Sequence, residues 1–237
     1  MAEIEKGEQV VVVTGASGAL GGAVVDHLAR FGNQVVGLDI NAPGPGALVA
    51  DERASTVKWL NLDLTDGAAV ETAIQTVETE VGPIDGFVHC AGGFRWSKID
   101  EISLEEIDFL VDLNLRSSLY VARSVLKAMK KRDAGRLIFI SSRSTISPGA
   151  GEGAYAATKA ALNALTQSLA DEVKATEITV NALQPSVIDT PANREAMPNA
   201  DFSTWVPREH LVDLICYLLA PQSVSISGSL IAVSGKT

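Results

Sequence analysis

A tyrosine and a lysine four residues apart are the side chains in this sequence best suited to proton transfer. Tyr155 and Lys159 lie in an Ala-rich run typical of a helix, and their spacing puts both side chains on one helical face. A free phenol has a pKa of about 10, so acid–base use near neutral pH requires a fall of about three, or about 4 kcal/mol. A neighbouring ammonium acts in that direction because it favours the phenolate.

Two polar residues elsewhere in the chain complete a possible reaction site. Ser142 follows the apolar run Leu137 to Ile140, and its hydroxyl is predicted to hydrogen-bond a substrate oxygen on which charge develops. Asn114 lies among leucines on a helical face that should be apolar, and a buried amide must be hydrogen-bonded. It bonds either a kinked backbone or a water near the lysine, and the sequence leaves both open. An isolated Tyr-xxx-Lys spacing also occurs on solvated helices, so the prediction depends on the elements around it.

The first of these elements is a strand, glycine-rich turn, helix and second strand. Val10 to Val13 is the β-branched run of a buried strand, a helical pattern ends at Phe31, and Gln34 to Leu38 is the second strand. Glycines in such a turn let a pyrophosphate approach backbone amides at the helix N-terminus, although they also serve helix packing. The predicted cofactor contacts in the turn are Gly15, Ser17, Gly18, Ala19 and Leu20.

Asp39 ends the second strand, where a carboxylate can accept hydrogen bonds from both hydroxyls of an adenosine ribose. The same carboxylate would repel a 2′-phosphate. The sequence therefore predicts NAD(H) in preference to NADP(H).

The next two strands are predicted at Val57 to Leu60 and Ile84 to Cys90. Asp63 and Leu64 follow the earlier strand, and Asp63 is predicted either to accept from the adenine amino group or to form a turn. Asp66 is a predicted N-cap for a helix that runs to Val81. The other strand leads into three small residues that leave room for a ribose, namely Ala91, Gly92 and Gly93.

The remaining pattern continues the alternation of helices and strands. His89 lies in an apolar strand and is predicted to be a core residue without a catalytic role. The three histidines give neither a zinc pattern nor a Ser-His-Asp order. The later elements are predicted as helical segments from Ser103 to Lys131 with a capping box at Ser103 and Glu106, a fifth strand ending at Ser141, a helix starting at Tyr155, a sixth strand from Ile178 to Leu183, a helix from Pro207 to Leu219 and a last strand from Ser229 to Val233.

Composition fits one α/β domain over residues 1–237. A hydrophobic fraction of 46% with 20% charged residues is typical of a globular core, and a net charge of -10 argues against nucleic acid as a partner. No run reaches the roughly eighteen apolar residues of a membrane span, and Met1 to Gln9 lack the apolar region of a signal peptide. Cys90 and Cys216 lie in separate apolar segments, which predicts reduced thiols and a cytoplasmic setting. The stretch Asn41 to Gly46 is predicted to be a loop, not a linker.

Together these elements, in this order, resemble the short-chain dehydrogenase/reductase family along nearly the whole chain. The resemblance implies a single-domain Rossmann-type fold, a doubly wound parallel sheet of about seven strands with helices on both faces. It also implies that Tyr155 exchanges a proton with the substrate, Lys159 lowers its pKa and binds the nicotinamide ribose, Ser142 polarises the carbonyl and Asn114 supports a water relay. In the family's segment after the sixth strand, Pro185, Ile188 and Thr190 correspond to cofactor contacts.

Three positions depart from the family pattern. The glycine spacing is GxxGxxG, the strand-four motif reads His89-Cys90-Ala91-Gly92 where the family has Asn-Asn-Ala-Gly, and Ser186 stands where a glycine is usual. The second departure predicts a weaker link between that strand and its neighbours.

The C-terminal third also resembles dihydropteridine reductases, on the residues from Asp189 to Trp205 and from Ser227 to Ile231. That likeness points to a conjugated pterin, whereas Ser142 and Asn114 follow the general family pattern and leave a small ketone or alcohol as the leading substrate. The predicted substrate pocket lies between the loop Phe94 to Trp96 and a substrate loop at about 190–206. The alternative is that these rings only pack the loops onto the domain.

Two other functions are weaker. A dinucleotide-binding regulator needs no proton-transfer set, and a nucleotide-sugar epimerase needs a larger C-terminal substrate domain. The family resemblance further implies a homodimer or homotetramer formed through the long helices around Asn114 and Tyr155.

Overall fold

A single seven-stranded sheet forms the centre of the molecule. The computed structural model describes residues 9–42 and 57–236. The N-terminal stretch considered above lies outside these residues except for Gln9, as do positions 43–46 of the predicted loop. All strands run parallel in the order β3-β2-β1-β4-β5-β6-β7. The strands are β1 Val10–Thr14, β2 Gln34–Asp39, β3 Val57–Asn61, β4 Gly86–His89, β5 Ala134–Ile140, β6 Glu177–Pro185 and β7 Leu230–Val233.

Helices cover both faces of this sheet. They are α1 Ala19–Arg30, α2 Gly67–Glu80, α3 Leu104–Leu110, α4 Ser117–Met129, α5 Gly153–Glu172, α6 Pro191–Ala196 and α7 Arg208–Leu219. A π-helical segment, Val111–Arg116, joins α3 to α4. The predicted N-cap at Asp66 and the capping box at Ser103 and Glu106 are both confirmed. The sequence did not predict α6 or the π-helical segment.

The core divides into two layers because successive side chains of a strand point to opposite faces. Val10 and Val12 of β1 pack with α2, α4 and α5, whereas Val11 and Val13 pack with α1 and α7. The predicted doubly wound α/β fold is therefore confirmed. Within the described ranges, no helix has the length and apolar character needed to cross a bilayer.

Candidate active site

The sheet order reverses between β1 and β4, which pair with each other although two strands and two helices separate them in the chain. Such a switch point leaves a crevice outside the carboxyl ends of the strands, where open α/β sheets bind ligands. The glycine-rich turn follows β1 and the Ala91 to Gly93 stretch follows β4, so the fold brings these two predicted cofactor segments together.

The glycine-rich turn lies too close to its neighbours for side chains. Gly15 has φ +62°, and a Cβ there would lie 2.7 Å from the backbone nitrogen of Ala91. A Cβ on Gly21 would overlap the carbonyl oxygen of Gly15. Gly18 is the N-cap of α1 and provides no side-chain hydrogen bond, and no acidic residue occupies the first turn of the helix at Ala19 and Leu20. The first turn of α1 therefore carries no acidic side chain that would compete with a bound anion, which fits the pyrophosphate of a dinucleotide.

Asp39 is held over this turn by backbone donors. Its two carboxylate oxygens accept from the N–H of Ser17 at 3.0 Å and from the N–H of Asn41 at 2.9 Å. The Ser17 hydroxyl donates to the carbonyl of Asn41 at 3.2 Å, which ties the end of β2 to the glycine turn. The carboxylate is fixed where the sequence places the adenosine ribose.

Asp63 and Leu64 follow β3 and have different surroundings. The exposed Asp63 carboxylate accepts from the N–H of Thr65 at 2.8 Å and from its hydroxyl at 2.7 Å. Asp63 therefore forms a turn, which is one of the two roles that the sequence left open, the other being a contact with the adenine amino group. The side chain of Leu64 is buried in the core, so it offers the crevice only its backbone.

Asn114 joins three of the predicted site segments. Its Oδ1 accepts from the N–H of Gly93 at 2.8 Å, and its Nδ2 donates to the Gly93 carbonyl at 2.9 Å and to the Thr158 hydroxyl at 3.1 Å. A Cβ on Gly92 would lie 3.0 Å from both Asn114 Oδ1 and Lys159 Nζ. Asn114 is fully buried in the π-helical segment, and π-helical turns are frequent at functional sites. The side chain therefore bonds backbone, as one of the two possibilities requires, although this backbone is that of the neighbouring loop at Gly93.

Tyr155 stands beside Ser142 and Phe94. Burial raises the pKa of Tyr155, the side-chain hydrogen bond with Ser142 lowers it, and the charge of Glu152 raises it further. The Phe94 ring meets the Tyr155 ring edge-on, with centroids 4.9 Å apart. Ser142 is buried and its Oγ also accepts from the N–H of Ser144 at 3.1 Å. Two predicted site residues, Ser142 just after β5 and Tyr155 on α5, thus lie side by side.

Lys159 is buried and does not produce the expected shift. Its Nζ donates to the carbonyl oxygen of Ile140 at 2.9 Å, at the end of β5. Burial lowers the pKa of Lys159 to about 8, and the Cys90 thiol acts weakly in the opposite direction. Among the described residues, Lys159 is not one of the groups that move the pKa of Tyr155. Desolvation of the phenol is the largest cause of its shift, so the pKa of Tyr155 is raised and not lowered as the sequence predicted.

The segment after β6 forms a loop at the carboxyl ends of the strands, and contacts within the loop hold its two ends together. Pro185 is the last residue of β6, and Ile188 pairs with Val206 in a short parallel bridge. The Thr190 hydroxyl caps α6 by accepting from the N–H of Asn193 at 3.2 Å. Asp189 and Arg194 form a two-bond ion pair at 2.6 and 2.7 Å. The predicted substrate loop is therefore fixed at its base.

The aromatic side chains of the two loops have separate roles. Trp205 is buried and packs against Phe202, and the Trp96 indole donates to the Ala150 carbonyl at 2.9 Å while it covers Gly151. These rings pack the loops, which was the alternative to a pocket. Phe94 differs from these rings, because 49% of its surface is exposed and its ring contacts Tyr155.

His89 is a core residue, as predicted, but the expected weakening at strand four is wrong. Its Nδ1 lies 2.7 Å from the Thr14 hydroxyl on β1, and its Nε2 lies 3.0 Å from the Ser118 hydroxyl on α4. Burial, with a smaller contribution from the charge of Lys159, lowers the pKa of His89 to about 3. The imidazole thus links β4 to β1 on one side and to α4 on the other.

Two polar partners in this network, Thr158 and Ser118, were not predicted from the sequence. Thr158 accepts from Asn114 and donates to the backbone carbonyl of Tyr155 at 2.8 Å. Ser118 donates to the backbone carbonyl of Asn114 at 2.7 Å. The four-residue spacing of Asn114 and Ser118 was visible, but hydroxyls at that spacing are common on helices. Across residues 9–42 and 57–236, no group of three or more His, Cys, Asp or Glu side chains could hold a metal ion.

Comparison with known proteins shows the same architecture. The family model for short chain dehydrogenases matches residues 9–201. The 3-oxoacyl-[acyl-carrier-protein] reductase FabG of Escherichia coli strain K12 is 30% identical over 235 residues, which is 96% of this chain and 96% of the relative.

Two solved structures superimpose closely. A short-chain type dehydrogenase/reductase from Mycobacterium ulcerans has a TM-score of 0.88 at 25% identity, over 97% of this chain and 89% of that chain. ElxO with NADP bound has a TM-score of 0.88 at 20% identity, over 97% and 98% of the two chains, a likeness that concerns the fold alone.

Proposed function

Because this chain belongs to the short-chain dehydrogenase/reductase family of oxidoreductases, we propose that it transfers hydride between NAD(H) and a small carbonyl or alcohol, with Tyr155 as the proton donor and acceptor. The observation that carries the proposal is the position of Tyr155. Tyr155 meets Phe94 edge-on and is hydrogen-bonded to the buried Ser142, and Lys159, one turn further along α5, has its Nζ 3.0 Å from the Cβ position of Gly92. A bound nicotinamide would supply the hydride there, and the chain's own residues supply the proton.

The proton-transfer roles follow from burial and charge. Because the pKa of Tyr155 is raised, its phenol is protonated at neutral pH and suited to donate to the oxygen of a carbonyl that is being reduced. Ser142 stabilises negative charge on that oxygen by hydrogen bonding. Lys159, with its pKa lowered to about 8, is mostly charged at neutral pH and would bind the nicotinamide ribose, as the family resemblance implies. Asn114 positions the loop at Gly93 and supports the water relay that the family resemblance implies.

The preference for NAD(H) rests on Asp39. Its carboxylate is held by the Ser17 and Asn41 amides, so it cannot swing away from a 2′-phosphate without losing two hydrogen bonds. ElxO, whose structure holds NADP, is too distant a relative to decide the preference of this chain.

Two observations favour three substrate classes. The exposed Phe94 ring beside Tyr155 favours a small, largely apolar ketone or a flat conjugated pterin. The relative from Escherichia coli, named as a 3-oxoacyl-[acyl-carrier-protein] reductase, favours a 3-oxoacyl thioester.

Free Cys90 and Cys216 support a reducing, cytoplasmic setting. Leu119 on α4, 43% exposed, supports a dimer or tetramer through α4 and α5, which a sizing run would test.

The test is oxidation of NADH and of NADPH, followed by absorbance, across ketones, 3-oxoacyl thioesters and quinonoid pterins. We expect turnover of at least one class with a higher kcat/KM for NADH. Binding of dinucleotide without turnover of any class would instead favour the regulator. A higher kcat/KM with NADPH would contradict the role given to Asp39 while leaving the reaction class intact.

A further inference from the structure

A buried chain of hydrogen bonds runs from β1 to the helix that carries Tyr155. It begins with the Ala91 N–H and the Thr14 hydroxyl, 3.4 Å apart, and passes through His89 to Ser118 and to the backbone carbonyl of Asn114. The Asn114 side chain then bonds Gly93 and Thr158, and the Thr158 hydroxyl donates to the Tyr155 carbonyl. His89 is the one titratable side chain in this chain of contacts.

The direction of each hydrogen bond is fixed by the groups at its ends. The Asn114 carbonyl can only accept, so the single hydrogen of the Ser118 hydroxyl is directed to it at 2.7 Å. The Ser118 oxygen must then accept from His89, which places the proton on Nε2. A neutral imidazole carries one N–H, so Nδ1 accepts from the Thr14 hydroxyl, whose oxygen accepts in turn from the Ala91 N–H. Every donor in the chain has one acceptor.

We propose that His89, as the neutral Nε2–H tautomer, is a positioning residue that fixes the π-helical turn and so places Asn114 against Gly93 and the Tyr155 helix. This role rests on the proposed function, because the geometry that it fixes is that of the proposed proton donor. The two ring nitrogens then have separate roles. Nε2 positions Asn114, on which the reaction depends, and Nδ1 positions Thr14 and Ala91 next to the dinucleotide turn.

The two tasks can be separated by substitution. His89→Asn places an amide near Nδ1 and cannot reach Ser118, whereas His89→Gln places an amide donor near Nε2. We expect His89→Asn and Ser118→Ala to lower kcat by about 10- to 100-fold, the range for a misplaced reacting group, with little change in dinucleotide Kd. His89→Gln should recover most of that loss but weaken dinucleotide binding. Ser124→Ala removes another buried serine of α4 and should leave both constants unchanged.

A spectroscopic measurement tests the tautomer without any turnover. In protein labelled with ¹⁵N-histidine, long-range ¹H–¹⁵N correlation at neutral pH should show one imidazole as the pure Nε2–H tautomer, and this signal should vanish in His89→Asn. A Nδ1–H tautomer or an imidazolium would overturn the proposal. Equal kcat in wild type, His89→Asn and Ser118→Ala would also overturn it, even with the expected tautomer. Full activity of a Tyr155→Phe variant would instead remove the proposed function and leave the tautomer result standing.

Discussion

The crevice at the carboxyl ends of the strands has two walls, one shaped by backbone and the other by polar side chains. The dinucleotide wall, at Gly15, Gly18 and Gly21, is shaped by backbone that lies too close for side chains. The acid–base wall is made of polar side chains, of which Ser142 and Lys159 are buried and Tyr155 is partly buried, and desolvation is the largest cause of the pKa shifts of Tyr155 and Lys159. The shape of the first wall depends on close backbone packing, and the chemistry of the second depends on the pKa values of its side chains. Substitutions in the two walls should therefore have different effects.

The largest effect is expected in the dinucleotide wall. Gly15→Ala places a Cβ 2.7 Å from the backbone of Ala91 at a φ of +62°, and left-handed backbone with overpacking costs about 3 kcal/mol together. Dinucleotide affinity, measured by fluorescence titration, should fall by about 100-fold. Gly32→Ala is the matched control, because Gly32 has φ +86° but nothing within 4 Å of its Cβ position. Equal losses in both variants would mean that crowding at Ala91 is unimportant.

In the acid–base wall, Lys159 should make stability depend on pH. Its pKa is lowered by burial from 10.5 to about 8, so between these values the unfolded chain binds more protons and stability rises with pH. From pH 7.5 to 9.5, the free energy of unfolding of the wild type should gain on the order of 2 kcal/mol relative to Lys159→Met. Urea denaturation at both pH values measures this difference. Lys130→Met, at an exposed position, should show no such gain.

Asp39 contributes to the dinucleotide wall through the negative charge of its carboxylate and not through close packing. Asp39→Asn keeps an oxygen that can accept a hydrogen bond but removes the negative charge. Relief of about 1.4 kcal/mol of repulsion should raise the ratio of kcat/KM for NADPH over NADH by about tenfold. An unchanged ratio would show that the carboxylate does not face the 2′ position.

The smallest effect should come from Phe94, which borders the acid–base wall from solvent. An edge-to-face aromatic contact contributes about 0.5–1.5 kcal/mol, so Phe94→Leu should raise the substrate KM by about two- to tenfold at unchanged dinucleotide affinity. Phe31→Leu, an exposed aromatic at the end of α1, should change neither value. A fall in dinucleotide affinity in Phe94→Leu would place the ring on the other wall.

The same contrast explains what the sequence could predict. The dinucleotide wall depends on local spacing, so the glycine-rich turn between strand and helix, the strand that ends at Asp39 and the parallel seven-stranded sheet were predicted correctly. The acid–base wall depends on burial and on partners distant in the chain. The pairing of Lys159 with the Ile140 carbonyl, the raised pKa of Tyr155 and the bonds of Asn114 to Gly93 follow from packing that no local pattern encodes.

His89 shows this limit most clearly. Its apolar surroundings predicted burial correctly, but comparison with the family motif predicted a weaker link at strand four. The longer imidazole instead reaches Thr14 on one side and Ser118 on the other. The residue type was visible in the sequence, whereas the two hydroxyls it joins come together only in the fold.

We propose that Tyr155 transfers the proton, while the dinucleotide wall binds its cofactor independently of this residue. The most direct test compares wild type and Tyr155→Phe for NADH oxidation with a turned-over carbonyl substrate and for NADH affinity by titration. We predict that kcat falls by about 10²- to 10⁴-fold while the dinucleotide Kd stays unchanged. A variant that keeps wild-type kcat, or that loses dinucleotide binding in proportion to activity, would contradict the claim.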